Sequence, residues 1–221
     1  MSRSIFISRY LSEKSHLLSF LRENDWKVYH ESLIQISPIP FEIDHETDWI
    51  FVSSSNGARI LFDNYTPKPA IKIGVVGKAT AETVQSFGLQ PSFTGETGDM
   101  HEVGRHFVPV LAHKSVMFYG AEGGSEILRN ELPEYQVSFT PIYRTELKTG
   151  VKIPETEFVY LTSPSNAKAY LGNASLDGKH VIAIGNTTAN YLAGRVITDI
   201  HVPSAPTEEH VVGLLRRMTN H

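Results

Sequence analysis

Ile182-Ala183-Ile184-Gly185-Asn186-Thr187-Thr188-Ala189 and Gly74-Val75-Val76-Gly77-Lys78-Ala79-Thr80-Ala81 are two versions of one phrase. Each is an apolar run, then Gly-x-x-Thr-Ala, then a helix-like pattern. Upstream stand two further partners, Phe51-Val52-Ser53-Ser54-Ser55-Asn56-Gly57-Ala58 and Tyr160-Leu161-Thr162-Ser163-Pro164-Ser165-Asn166-Ala167. From Ser54 to Gly77 is 23 positions, and from Ser163 to Gly185 is 22. A strand-turn-helix unit used twice, at spacings one residue apart, predicts two similar α/β lobes in a single chain.

Working outward, Ile5-Phe6-Ile7 predicts a strand, Leu11 to Leu21 a helix, and Val28 opens a strand-like run toward Leu33-Ile34-Gln35-Ile36. Ser37-Pro38-Ile39-Pro40 interrupts it. The first copy then runs from Trp49, with strands at 49–52, 71–76 and 116–119 and an extended stretch from Val137 to Ile142. Asp99 and Glu102 have the spacing of a capping box, and a further helix is expected through Leu128 and Leu132. The second copy has strands at 158–162, 179–184 and 196–202 and a last helix from Thr207, acidic at its start and basic at its end. The opening β-α-β unit completes the second copy. The expected division is therefore a discontinuous domain at 1–37 and 146–221, an inserted domain at 40–142, and linkers at 38–39 and 143–145. A cleft between the lobes is the expected ligand site.

Composition narrows the function. In 221 residues, 41% are hydrophobic and 20% charged, as in ordinary globular chains. With 20 Lys+Arg against 24 Asp+Glu the net charge is −4, which argues against nucleic acid as a partner. Cysteine is absent, so thiolate metal sites are unavailable and a cytoplasmic setting is expected. The opening segment turns polar at Ser8-Arg9, too early for a signal peptide, and no apolar run has membrane-spanning length.

Parallel α/β lobes place ligands at the carboxyl ends of strands, against helix N-termini. The residues there are Arg9; Ser54, Ser55 and Asn56; Gly77 and Thr80; and Thr97 and Gly98. In the remaining turns they are Glu122 and Gly123; Ser163 and Ser165; and Gly185, Thr187 and Thr188. Hydroxyls and glycines beside free N–H groups suit a large polycarboxylate held by neutral donors, although serine and threonine also serve simply as helix caps. Tyr143, beside Arg144 on the second linker, reads either as a proton donor to a leaving group or as a hydrophobe with a wet tip. Gly120 to Ser125 lacks a P-loop ending, and no G-x-G-x-x-G or G-x-S-x-G occurs. His101 and His106 are not spaced as metal ligands on one helix face. On residues alone, an enzyme, a non-catalytic module binding a small organic anion, and a flavodoxin-like electron carrier all stay open.

The order and spacing of Ser54-Ser55-Asn56-Gly57, Val76-Gly77-Lys78-Ala79-Thr80-Ala81, Tyr143-Arg144-Thr145, Thr162-Ser163-Pro164-Ser165 and Ile184-Gly185-Asn186-Thr187-Thr188-Ala189 resemble the uroporphyrinogen-III synthase family. Leu33 to Pro38 matches that family's first lobe exit. The Ser53–Ser55 run and Gly194-Arg195 depart from the family form. The resemblance implies two flavodoxin-like lobes joined by a two-stranded linker and no metal or organic cofactor. It also implies dehydration and cyclisation of hydroxymethylbilane with inversion of ring D. Tyr143 and Thr188 would be the catalytic pair, the other strand-end residues holding acetate and propionate arms. A monomer is expected, with transient hand-over from the preceding pathway enzyme.

Overall fold

The computed structural model describes residues 3–96, 100–124, 130–132, 137–196 and 199–219. In chain order the first elements are β1 (Ser4–Ile7), α1 (His16–Glu23), β2 (Lys27–His30), β3 (Ile34–Pro38), β4 (Trp49–Val52) and α2 (Ser55–Asn64). Next come β5 (Lys72–Val75), α3 (Lys78–Ser86), β6 (Phe93–Thr94), α4 (Met100–Leu111), β7 (Val116–Ala121) and β8 (Val137–Leu147). The last are β9 (Phe158–Leu161), α5 (Pro164–Leu171), β10 (His180–Ala183), α6 (Asn186–Leu192), β11 (Ile200–His201) and α7 (Glu208–Thr219). The segment through Leu128 and the capping residue Asp99 fall outside the described residues.

The chain divides into two compact units, Met1–Gln35 with Glu146–His221, and Ile36–Thr145. The discontinuous unit carries a sheet in the order β11-β10-β9-β1-β2, all of whose pairings are parallel. The inserted unit carries β8-β7-β4-β5-β6, also parallel, with β3 added outside β8. Counted from β9 in one and from β4 in the other, both sheets run 3-2-1-4-5. The discontinuous unit reaches this order only by borrowing β1 and β2 from the front of the chain. In each sheet the order reverses beside the first strand, between β9 and β1 and between β4 and β7. That is where open α/β sheets make their ligand crevices.

The strands are apolar on both sides because helices cover both faces. Ile5, Ile7, Phe158 and Tyr160 join one core of the discontinuous unit, while Phe6, Val159 and Leu161 join the other. Likewise Ile50, Val52, Met117 and Tyr119 face one core of the inserted unit, and Trp49, Phe51, Val116 and Phe118 its opposite. At about 1.5–3 kcal/mol for each large side chain withdrawn from water, these alternations hold the layers together.

The apolar run from Val28 toward Ile36 is not one strand. β2 ends where Glu31 N–H donates to Ile7 O, and β3 joins the other sheet. Between them the Leu33 N–H donates to Asn166 Oδ1 at 2.8 Å and Ile34 N–H to Ser32 Oγ. β3 and β8 pair antiparallel: Lys148 N–H donates to Leu33 O and Ile39 N–H to Ile142 O, so one strand recedes as the other advances. Among the described residues no helix is long and apolar enough to cross a membrane.

Candidate functional site

The repeated sequence phrases become repeated turns. Ser54 and Ser163 are both extended N-cap residues, at φ −153°, ψ 152° and φ −167°, ψ 160°. Each hydroxyl accepts the N–H three residues on, Gly57 at 3.0 Å and Asn166 at 3.1 Å. This satisfies one of the donors that a helix start leaves over. Gly77 and Gly185 are the N-caps of α3 and α6, again extended and with no side-chain cap. Their carbonyls take the N–H groups of Thr80 and Ala81, and of Thr188 and Ala189. Lys78, Ala79, Asn186 and Thr187 are exposed at these two helix starts, where the dipole favours an anion.

In the inserted unit the cap leads to a phenol. Tyr143 Oη lies 2.9 Å from Ser54 Oγ. A β-bulge makes this contact: Gly120 pairs with Pro141 but Ala121 with Tyr143, leaving Ile142 extra on β8. Regular alternation would send Ile142 and Tyr143 to opposite faces. The bulge turns both into the same core, with Pro141, which has no N–H to pair, just before it. Beneath the contact sits Gly57, where a Cβ would meet Ser54 Oγ at 3.2 Å and Tyr143 Cε1 at 3.5 Å. Burial raises the Tyr143 pKa above its usual 10, and the Ser54 hydrogen bond partly opposes that. The phenol therefore keeps its proton at neutral pH.

Glu122 and Gly123 form the turn after β7, with Gly124 N–H donating to Ala121 O. Gly123 has φ +64°, a conformation that favours glycine. The Glu122 N–H donates to Tyr143 O at 2.7 Å, so the turn also anchors the tyrosine backbone. Its carboxylate is gripped at 2.6 and 3.0 Å by Arg144, which lowers the Glu122 pKa.

In the discontinuous unit the equivalent hydroxyl is closed off. Ser163 Oγ accepts both the N–H and the Nδ2 of Asn166, at 3.1 Å each, and Asn166 Oδ1 takes the Leu33 N–H. Ser8, fully buried at the end of β1, ties β1 to β9: its hydroxyl accepts Thr162 N–H at 2.9 Å, and Thr162 Oγ1 donates to Ser8 O. Arg9 follows, its Nη2 donating to Glu208 Oε1 at 3.0 Å and its guanidinium 6.0 Å from the Tyr160 ring centre. Burial pushes the Tyr160 pKa to about 12.

The two central threonines are buried, Thr80 at 4% and Thr188 at 1% exposure, facing the core side of their helices. Ser54, Ser55, Asn56, Ser163, Ser165, Gly77 and Gly185 are half-buried, and Thr187 is exposed. Ser55 Oγ donates to Ala79 O, linking the two turns of the inserted unit. Thr97 and Gly98 lie outside the described residues. Ser8 and the role of Asn166 escape sequence reasoning because both depend on contacts over more than 130 positions; the Gly57 contact spans 86 positions to Tyr143. Among the described residues no three His, Asp or Glu side chains gather as metal ligands.

The family model described as uroporphyrinogen-III synthase HemD matches residues 15–213. Among solved structures, uroporphyrinogen-III synthetase from Helicobacter pylori 26695 is similar at 22% identity and TM-score 0.72, covering 99% of this chain and 100% of that one. A mutant uroporphyrinogen III synthase from the extremely thermophilic bacterium Thermus thermophilus is similar at 13% identity and TM-score 0.65, with 100% of both chains covered. At these identities the structural likeness is one of fold. No curated protein sequence matches.

Proposed function

The chain belongs to the uroporphyrinogen-III synthase family and is an enzyme of that type, and from that premise we propose how its own residues carry the reaction. Hydroxymethylbilane loses its terminal hydroxyl and closes, with ring D inverted, to uroporphyrinogen III. In our reading Tyr143 gives its phenolic proton to the departing hydroxyl. The carbon–oxygen bond breaks, water leaves, and the pyrrole nitrogen lone pair shifts in to give an azafulvenium cation. The substituted α-carbon of ring D attacks that cation to form a spiro centre. Its bond to the bridge from ring C then breaks, and the free α-carbon of ring D, across the ring nitrogen, attacks the azafulvenium so formed on ring C. Reclosure releases one proton, which restores the phenol, so the net change is loss of water.

The observation that carries this is the 2.9 Å contact between Tyr143 Oη and Ser54 Oγ. Ser54 already accepts the Gly57 N–H, so its own hydrogen can donate to Tyr143. It thereby steadies the phenolate that forms as the proton leaves. The start of α2 adds a favourable potential for that negative charge.

Binding works against the chain's charge of −4, since the substrate carries eight carboxylates. Local donors must hold it, not a bulk field. In the inserted unit the start of α3 at Gly77 and the Ser55 hydroxyl supply such donors; in the discontinuous unit the start of α6 at Gly185, with Thr187, Ser165 and Arg9, supplies others. Thr80 and Thr188 support the turns from their buried side. The enzyme works as a single copy, and transient hand-over from the preceding pathway enzyme limits the unaided closure of free bilane to the uninverted isomer.

The test is incubation of purified protein with hydroxymethylbilane, followed by oxidation and separation of the isomers. Isomer III in excess over the blank is expected. Isomer I alone, at the blank rate, overturns the reading.

A further inference from the structure

We propose that Arg9 and Tyr10 form a subsite for one carboxylated pyrrole of the substrate, the guanidinium taking an acidic arm and the tyrosine ring lying against the pyrrole face. The inference rests on the reaction assigned above and adds a binding residue to it.

Tyr10 lies three residues past the end of β1, in the turn beside the point where the strand order of its sheet reverses. At 65% exposure it is, with Val110 on α4, one of two large apolar side chains left exposed among the described residues. It is nevertheless held. Its ring meets His30 edge-on, 6.4 Å between centres at 86°. His30 Nδ1 in turn accepts the Leu11 N–H at 3.2 Å, and Leu11 is buried in the core. The loop is thus pinned on both sides of an aromatic ring that remains in water.

Arg9 is equally prepared. Glu208 Oε1 accepts from its Nη2, while Glu208 Oε2 accepts from Ser15 Oγ at 2.8 Å and from Leu17 N–H at 3.1 Å. The carboxylate is therefore shared between Arg9 and the start of α1, which leaves the guanidinium capacity for a second anion. The Nε of Arg9 is buried with no acceptor, an uncommon state for a charged donor. A flat, electron-rich ring bearing acetate and propionate complements an exposed aromatic face whose chain neighbour is an arginine. A simple carboxylate would use the arginine alone.

The whole protein is titrated with a monopyrrole bearing one acetate and one propionate arm, and turnover of hydroxymethylbilane is measured on the same samples. Tyr10→Ala should weaken monopyrrole binding and raise KM by about 5-fold each, the size of one aromatic contact, with kcat held within about twofold. Tyr10→Phe should match the parent in both, because the ring and not the hydroxyl makes the contact. Exposure of Tyr10 keeps either variant folded. Unchanged binding and KM in Tyr10→Ala, or an equal loss in Tyr10→Phe, overturns the subsite. Parent protein that yields only isomer I overturns the assigned reaction instead, and the monopyrrole titration of parent and Tyr10 variants still judges the subsite.

Discussion

Ser54 and Ser163 occupy the same place in two copies of one design, and their hydroxyls do different things. Both cap a helix with nearly the same backbone angles. Ser163 spends its two acceptor positions on the donors of Asn166, which passes the connection to the Leu33 N–H. Ser54 accepts one N–H and keeps its other contact for Tyr143. One turn is closed by an amide of its own helix, and the other is completed by a phenol 89 positions away. Duplication supplies the cap twice; in the proposed mechanism, what completes it decides whether the cap is structural or chemical.

The sharpest way to break this comparison is Tyr143→Phe. If the Ser54 turn is the chemical one, kcat for isomer III should fall by about 100-fold, the lower range for a lost general acid. Thermal unfolding should shift only as far as one hydrogen bond allows, about 1 kcal/mol. An unchanged kcat would make the two turns equivalent. Asn166→Ala probes the other copy and should show the reverse. It leaves the buried Leu33 N–H without an acceptor, costing about 1–3 kcal/mol in denaturant unfolding, while turnover per folded molecule stays at the parent level.

Gly57→Ala separates the two readouts at a single residue. Its new Cβ would press on Ser54 Oγ and Tyr143 Cε1 at 3.2 and 3.5 Å. Alanine improves helix propensity by about 1 kcal/mol over glycine, so stability should hold while kcat drops about 5-fold through misplacement of the phenol. A loss of stability with kcat intact would contradict the role given to that contact.

The smallest effect lies in the pH profile. Burial raises the Tyr143 pKa above 10 and the Ser54 hydrogen bond lowers it again. The alkaline limb of kcat should therefore stand above pH 10, and Ser54→Ala should move it higher. Stability follows the same sign. The folded state holds these protons more tightly than the unfolded chain, so stability is fully present below pH 10 and falls as pH rises toward 12. Tyr160 and Tyr170, pushed up to about 12, share in this window. A fluorescence-monitored unfolding series from pH 8 to 12 measures it.

Much of this was legible in the chain. Ser54, Gly77, Ser163 and Gly185 announce themselves because strand-turn-helix units need caps and glycines at set offsets, and a duplicated offset is visible without coordinates. The position of Tyr143 next to a lobe boundary was legible too. Its partner was not. The bulge at Ile142 puts two consecutive residues into one core, and a period-2 reading sends them apart. Thr80 and Thr188 read as polar groups at helix starts, yet the phase of each helix turns them inward to 4% and 1% exposure. The stretch from Val28 to Ile36 reads as one strand because apolarity carries no label for which sheet it joins.

By itself the amino-acid order determined the two α/β copies, the interruption of the discontinuous one, the weakly acidic charge, and the supply of hydroxyls and backbone donors at strand ends. All of these follow from local chemistry: apolar periodicity, cap preference and composition. Tertiary structure alone decided that β1 is the strand that pairs with β9, that Ser8 binds β1 to β9, and that Tyr143 and not an amide meets the Ser54 hydroxyl. These contacts join residues far apart in sequence, and a hydrogen bond of 2.9 Å depends on where the chain returns, which no neighbouring residue encodes.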